Sequence, residues 1–478
     1  MNAARWMKRV ALMAWWLGVL CGLPGLLVRS TLLVSVVGIL LPLGFLFFDA
    51  SRAKTGGITA MTAYSAAAVA TSSANTIALL AANTPRRPEY FLYVSESHIY
   101  VAMCLALAAA VLPPLAFQLT ASSRSANALA SLLPKVRGEI GDRQLVSGGM
   151  ILGLLAVLVH WRLSLTSLGA LGSVFFLSPL FVTFVLARAG ANRGVRAAYT
   201  CALVVAFAEA ARALLFGYLR GDVAAPFIAF ILGALTGARS LRPMKSRAFL
   251  PIYSAALLFI AYFGAYGAIR GHTGAGLQRL EAVQQYHDEL QATSDLANQT
   301  MLSRLTTINQ LSQIGRLVDE EGYLHGQTLA YLGYAFIPRF LWPQKPAIAK
   351  AAWFALHIGL AYVRRDGQIS NAINMTIPGE LYLNYGWVGV FVGLALLGYF
   401  VAAFWRTTDF WTRPRNVLGT AFAFYLMWPW IGFSLGGDLQ ILVTIIAVYL
   451  VLVVVGFMLP SSRYRRVTGS GPMQVAHT

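Results

Sequence analysis

Residues Ile441–Met458 form an apolar run without a single charge, and a chain built from many such runs has few ways to fold. A helix needs about 20 apolar residues to cross the hydrocarbon core of a bilayer. Inside lipid, backbone N–H and C=O groups must be paired within the segment or around a closed barrel. Barrel strands would show short alternation of apolar and polar residues, and this run does not alternate. Transmembrane helices are the remaining solution. Composition agrees: 58% of the 478 residues are hydrophobic and only 12% are charged, against about 25% charged in soluble domains.

The apolar segments predict twelve helices, at roughly 10–28, 31–48, 57–82, 99–120, 145–161, 164–187, 197–218, 223–238, 249–269, 381–404, 417–434 and 438–459. The third is built almost wholly of small residues, which favour close helix packing. The sixth holds Gly169, Gly172 and Pro179 and could be broken or re-entrant. The charged start, Met1–Arg9, resembles a signal region but leads into an apolar stretch with no cleavage site and soluble domain behind it, so it reads as a retained first helix.

Charge tests the helix count independently. With the N-terminus inside, more than half of the 37 lysines and arginines fall on seven short inside segments, among them Arg188, Arg193 and Arg196, and Arg406, Arg413 and Arg415. The short outside links carry only Arg29, Arg86, Arg87, Arg162, Arg220 and Arg270. Removing one helix would invert the pattern for half the chain, so the positive-inside bias predicts both termini in the cytoplasm. The net charge of +19 therefore reflects clusters at helix ends and predicts no nucleic-acid partner. Cys21, Cys104 and Cys201 all lie in apolar runs, with neither disulfide nor zinc spacing.

Four regions follow: membrane helices over 1–270, an exoplasmic loop over 271–379, three further helices over 380–460 and a cytoplasmic tail over 461–478. In the loop, Leu277–Val318 has apolar residues at helical spacing, predicting amphipathic helices over the membrane or the bundle. Ala347–Tyr362 is too short for a span and reads as an interfacial or half-inserted helix.

Eight basic residues in this loop, Arg304, Arg316, Arg339, Lys345 and Lys350 among them, run against the topological bias. Arginine binds phosphate oxygens through a planar fork, so a lipid pyrophosphate is one ligand for the cluster. Anionic headgroups, or local pairing with Asp319–Glu321, are the alternatives. Within the membrane, Glu209 and Arg212 share a helix face and can pair, as a structural or a functional couple. Asp438 and Glu380 fall at exoplasmic helix ends, where water should reach them, as catalytic carboxylates or simply as helix-end residues. No two histidines have metal-ligand spacing. His325, between glycines and ahead of a proline-rich stretch, is the best placed as a general base.

Gly326–Pro346 reads GQTLAYLGYAFIPRFLWPQKP and Ile377–Val390 reads IPGELYLNYGWVGV. Both motifs, their order and the loop between them resemble the Wzy-type O-antigen and oligosaccharide-repeat polymerases. The resemblance implies an all-α integral membrane fold of about twelve spans, with a large exoplasmic loop between helices 9 and 10, in the GT-C-like architecture of lipid-donor glycosyltransferases. It implies transfer of a growing glycan from one undecaprenyl pyrophosphate to the end sugar of another lipid-linked repeat unit, in the bacterial inner membrane, without cofactor or metal. Membrane lipids and a chain-length regulator are the other partners it implies. Carried over, Arg339 and Lys345 would hold pyrophosphate and Glu380 would stand near the acceptor. Arg304, eleven residues before Gly315, matches a further family spacing. Arg316, Arg212 and Asp438 complete the candidate substrate-binding set, with Glu380 and His325 the catalytic candidates. Lys350 lies outside the motif and is expected to face headgroups. An O-antigen ligase-like enzyme and a lipid-linked oligosaccharide flippase are the alternatives. A transporter should carry its ions at mid-membrane and have short loops on both sides, which favours the enzyme.

Overall fold

A computed structural model describes residues 3–52, 59–82, 94–122, 131–162, 178–216, 220–237, 306–335, 337, 341–346, 350–363, 369–370, 372–413, 415–433 and 439–458. All regular structure among them is helical apart from two isolated bridges. The helices are α1 Ala3–Leu27, α2 Thr31–Ser51, α3 Ala60–Ala82, α4 Glu96–Ser122, α5 Asp142–Arg162, α6 Ser178–Arg193, α7 Arg196–Phe216 and α8 Arg220–Gly237. After them come α9 Ile308–Glu321, α10 Tyr331–Tyr334, α11 Lys350–His357, α12 Ile377–Thr407, α13 Val417–Phe433 and α14 Gln440–Met458.

Six of these helices, α1, α2, α4, α5, α12 and α14, are long and apolar enough to cross a membrane. The protein is a helical membrane protein. Eleven of the twelve expected segments overlap a described helix, the sixth only in part, and several of those helices are shorter or more polar than the six. The expected ninth helix, 249–269, lies outside the described residues. Of the expected sixth, 178–187 lies in the described helix Ser178–Arg193, and 164–177, with Gly169 and Gly172, lies outside the described residues.

Helix α12 organises the part of the bundle that holds the candidate site. It packs against α4, α9 and α13. The amphipathic segment docks on the bundle: α9 buries Ile308, Leu311, Ile314, Leu317 and Val318 against α4 and α12. Its N-terminus has no cap from its own Thr307. The wholly buried Asn75 of α3 supplies one instead, its Oδ1 accepting from the N–H groups of Thr307 (2.9 Å) and Ile308 (3.3 Å). At the other end of α9, His98 of α4 meets Asp319 at 2.9 Å. The far end of α12 is latched by Asn416, whose amide donates to the carbonyls of Val136 (2.7 Å) and Thr408 (3.0 Å) while its oxygen accepts from the Gly138 N–H.

Candidate functional site

The first turn of α12 begins at Thr376, whose hydroxyl accepts from the Gly379 N–H at 3.2 Å. Glu380 follows in that turn, where the helix dipole favours a negative charge. Its side chain has no exposed surface, which corrects the expectation that water reaches it cheaply. What replaces water is Lys350, from the start of α11. Its ammonium donates to both carboxylate oxygens, at 3.0 and 2.8 Å, and to the Tyr331 hydroxyl at 2.7 Å. It also stands 4.1 Å from the centre of the Tyr331 ring. Lys350 therefore does not face headgroups, as its place outside the motif suggested; its side chain is only 9% exposed and completes the site.

One turn further along α12, Asn384 ties the two motifs together. Its amide donates to the Thr328 hydroxyl (2.6 Å) and to the Glu380 carbonyl (2.7 Å), and its side-chain oxygen accepts from the Gly326 N–H (2.9 Å). Its own carbonyl accepts from the His325 N–H at 3.2 Å. Segment Leu324–Leu329 is thereby fixed along the start of α12. Gly326 has φ +92 and lies so close to the Tyr385 hydroxyl that a Cβ there would collide. His325 also has a positive φ of 47, and Thr376 one of 65, a costly region for residues with side chains. Strained backbone thus brackets the cluster on both strands of the chain.

The remaining candidates divide. His325 is exposed, and its imidazole has no hydrogen bond among the described residues. Lys345 is 7% exposed and donates to the carbonyls of Ala335 (3.1 Å) and Ile337 (2.9 Å), tying the proline-rich segment to itself. Arg316 donates to Glu320 at 2.9 and 3.0 Å and to Gln313, the local pairing left open by the sequence. Arg212 and Glu209 form the two-bond pair expected from their spacing, at 2.9 and 2.8 Å. That pair stands on α7, which packs against α5, α6 and α8, in a different part of the bundle from Glu380. Arg304, Arg339 and Asp438 lie outside the described residues.

Sequence reasoning missed Lys350, Tyr331, Asn384 and Thr328. Three of these four stand inside the quoted motifs, whose resemblance to the polymerase motifs was the available signal. Lys350 gave none, because nothing local ties it to a carboxylate thirty positions away.

The fold and this cluster define a helical membrane protein with a buried, charge-paired polar centre at one end of its long helix α12. A family model described as a domain of unknown function (DUF8712) matches residues 154–462, and the chain belongs to that family. No curated protein and no solved structure matches it.

Proposed function

We propose that the protein is a membrane glycosyltransferase that joins undecaprenyl-pyrophosphate-linked oligosaccharide repeat units on the exoplasmic face, as a polysaccharide polymerase. The observation that carries this reading is the meeting of the two polymerase-like motifs in one hydrogen-bonded cluster. Gly326, Thr328 and Tyr331 come from the first and Glu380 and Asn384 from the second. Twelve spans, cytoplasmic termini and a bacterial inner-membrane location belong to the same proposal.

In this reading an acceptor hydroxyl attacks the anomeric carbon of the donor sugar. The carbon–oxygen bond to pyrophosphate breaks, and its electron pair leaves with the phosphate oxygen. Cations near that oxygen lower the barrier, the role given to the loop cations Arg339 and Arg304. The hydroxyl proton passes to His325, whose ring is exposed beside the cluster. Both oxygens of Glu380 are held by Lys350, so Glu380 is a positioning residue that fixes the Lys350 ammonium and the start of α12.

The test is incubation of purified protein with lipid-linked repeat units alone. A ladder of lipid-linked lengths is expected. His325→Gln should lower the rate at least about 100-fold, the usual scale of general-base catalysis, with thermal stability unchanged. A folded protein that makes no ladder with any repeat unit, yet equilibrates lipid-linked glycan across proteoliposomes, would overturn the enzyme in favour of a flippase.

A further inference from the structure

We propose that a second polar pocket, at the opposite end of α12 from Glu380, binds a phosphate group. The pocket lies where the start of α5, the end of α6 and the start of α13 meet, and it is lined by Leu145, Val185, Arg188, Ala189, Arg193, Val417 and Thr420. Arg188 is only 3% exposed. One terminal nitrogen donates to the Thr420 hydroxyl at 2.8 Å and the other to the Phe410 carbonyl at 2.6 Å, just past the end of α12. The guanidinium lies 3.6 Å from the centre of the Phe410 ring. Its Nε is sealed from solvent and bonded to nothing among the described residues.

Among the described residues no carboxylate bonds to Arg188. Asp142, the acidic residue at the pocket's edge, pairs with Arg193. The more deeply buried of the two guanidiniums, that of Arg188, has only neutral partners among the described residues. Ring and carbonyl contacts offset part of the cost of burying a cation, yet a buried charge normally has a counter-ion. The cavity has room for one water-sized group. That admits a single oxygen of a larger anion, accepting from Arg188 Nε, with the remainder in the mouth beside Arg193. A water molecule would satisfy the Nε but leave the charge uncompensated. Arginine forks match phosphate oxygens in both geometry and charge. Such a phosphate has two sources, the free ion and the headgroup of an anionic lipid. The inference does not rest on the proposed transferase activity.

The experiment is thermal unfolding of delipidated protein in maltoside micelles. Inorganic phosphate is titrated against chloride at equal ionic strength, and phosphatidylglycerol against diacylglycerol of the same acyl chains. Phosphate or phosphatidylglycerol is expected to raise the midpoint by about 2 °C or more over its control. A rise with the free ion identifies that source, and a rise with the lipid alone identifies a headgroup. Arg188→Gln should abolish the rise. If that protein fails to fold, Arg193→Gln at its half-buried position carries the test and should at least halve the rise. Equal midpoints with phosphate and chloride together with equal midpoints with the two lipids, or a full rise in Arg193→Gln, would overturn the site.

Discussion

Glu380 and Lys350 illustrate how a charge survives without water. Two ions removed from solvent lose several kcal/mol of hydration each, and only close, well-bonded pairing returns it. Removing one partner should therefore cost more than removing both charges. Lys350→Met and Glu380→Gln are each expected to lower stability by about 3–5 kcal/mol, the usual cost of an orphaned buried ion. The double variant, which leaves no orphaned charge, should cost less than either single substitution, a large departure from additivity. Denaturation in micelles measures all three, and strictly additive losses would mean that the pair does not act as a unit. The sequence exposed one member of this arrangement. Glu380 was legible through its motif, and Asn384 and Tyr331 stand in the quoted motifs without being singled out, whereas Lys350 belongs to neither and meets Glu380 only through the fold. Arg188 was legible as a marker of topology but not as a buried cation, because the carbonyl and hydroxyl it uses come from residues more than two hundred positions away.

At the scale of elements, α12 bends at Gly386, where φ is 60 and ψ −151. The Tyr323 ring lies 3.0 Å from the place a Cβ would occupy. Gly386→Ala has both an unfavourable backbone and a blocked neighbour, and should destabilise by about 1–3 kcal/mol. Thermal unfolding checks this, and a neutral result would mean that Tyr323 swings aside and the bend relaxes. The borrowed cap on α9 gives a second expectation. Asn75→Ala leaves two N–H groups without their acceptor and should cost about 0.5–2 kcal/mol, read as faster amide exchange over Ile308–Leu311 in particular. Helices were legible where apolar residues recur at the helical period, which is why most of α9, Ile308 to Val318, fell within the expected amphipathic stretch. Its docking partner was not legible, since Asn75 stands in a small-residue helix whose polar positions look alike in sequence.

For the whole molecule, the twelve-span topology proposed above would put Glu321 at the end of α9 outside and Thr412 beyond α12 inside. Single cysteines at these exposed positions, in a background lacking Cys21, Cys104 and Cys201, should label from opposite sides of intact cells with an impermeant reagent. Labelling of both from outside would break the map. Helix α12 itself has 31 residues, about 46 Å at 1.5 Å per residue, against about 30 Å of hydrocarbon. Trp387 and Trp405 stand eighteen positions apart on it, about 27 Å, and tryptophans favour the two interfaces. The helix thus carries its own ruler: the stretch between the tryptophans matches the oily layer, and the bend at Gly386 falls at its edge. On the proposed topology, and with the tryptophans at the two interfaces, Ile377 to Tyr385, with Glu380, Lys350 and Asn384, would ride at the height of the lipid headgroups. On that placement, a bilayer of longer acyl chains would raise the oil line past the bend toward that cluster, which makes membrane thickness a variable to test on this protein.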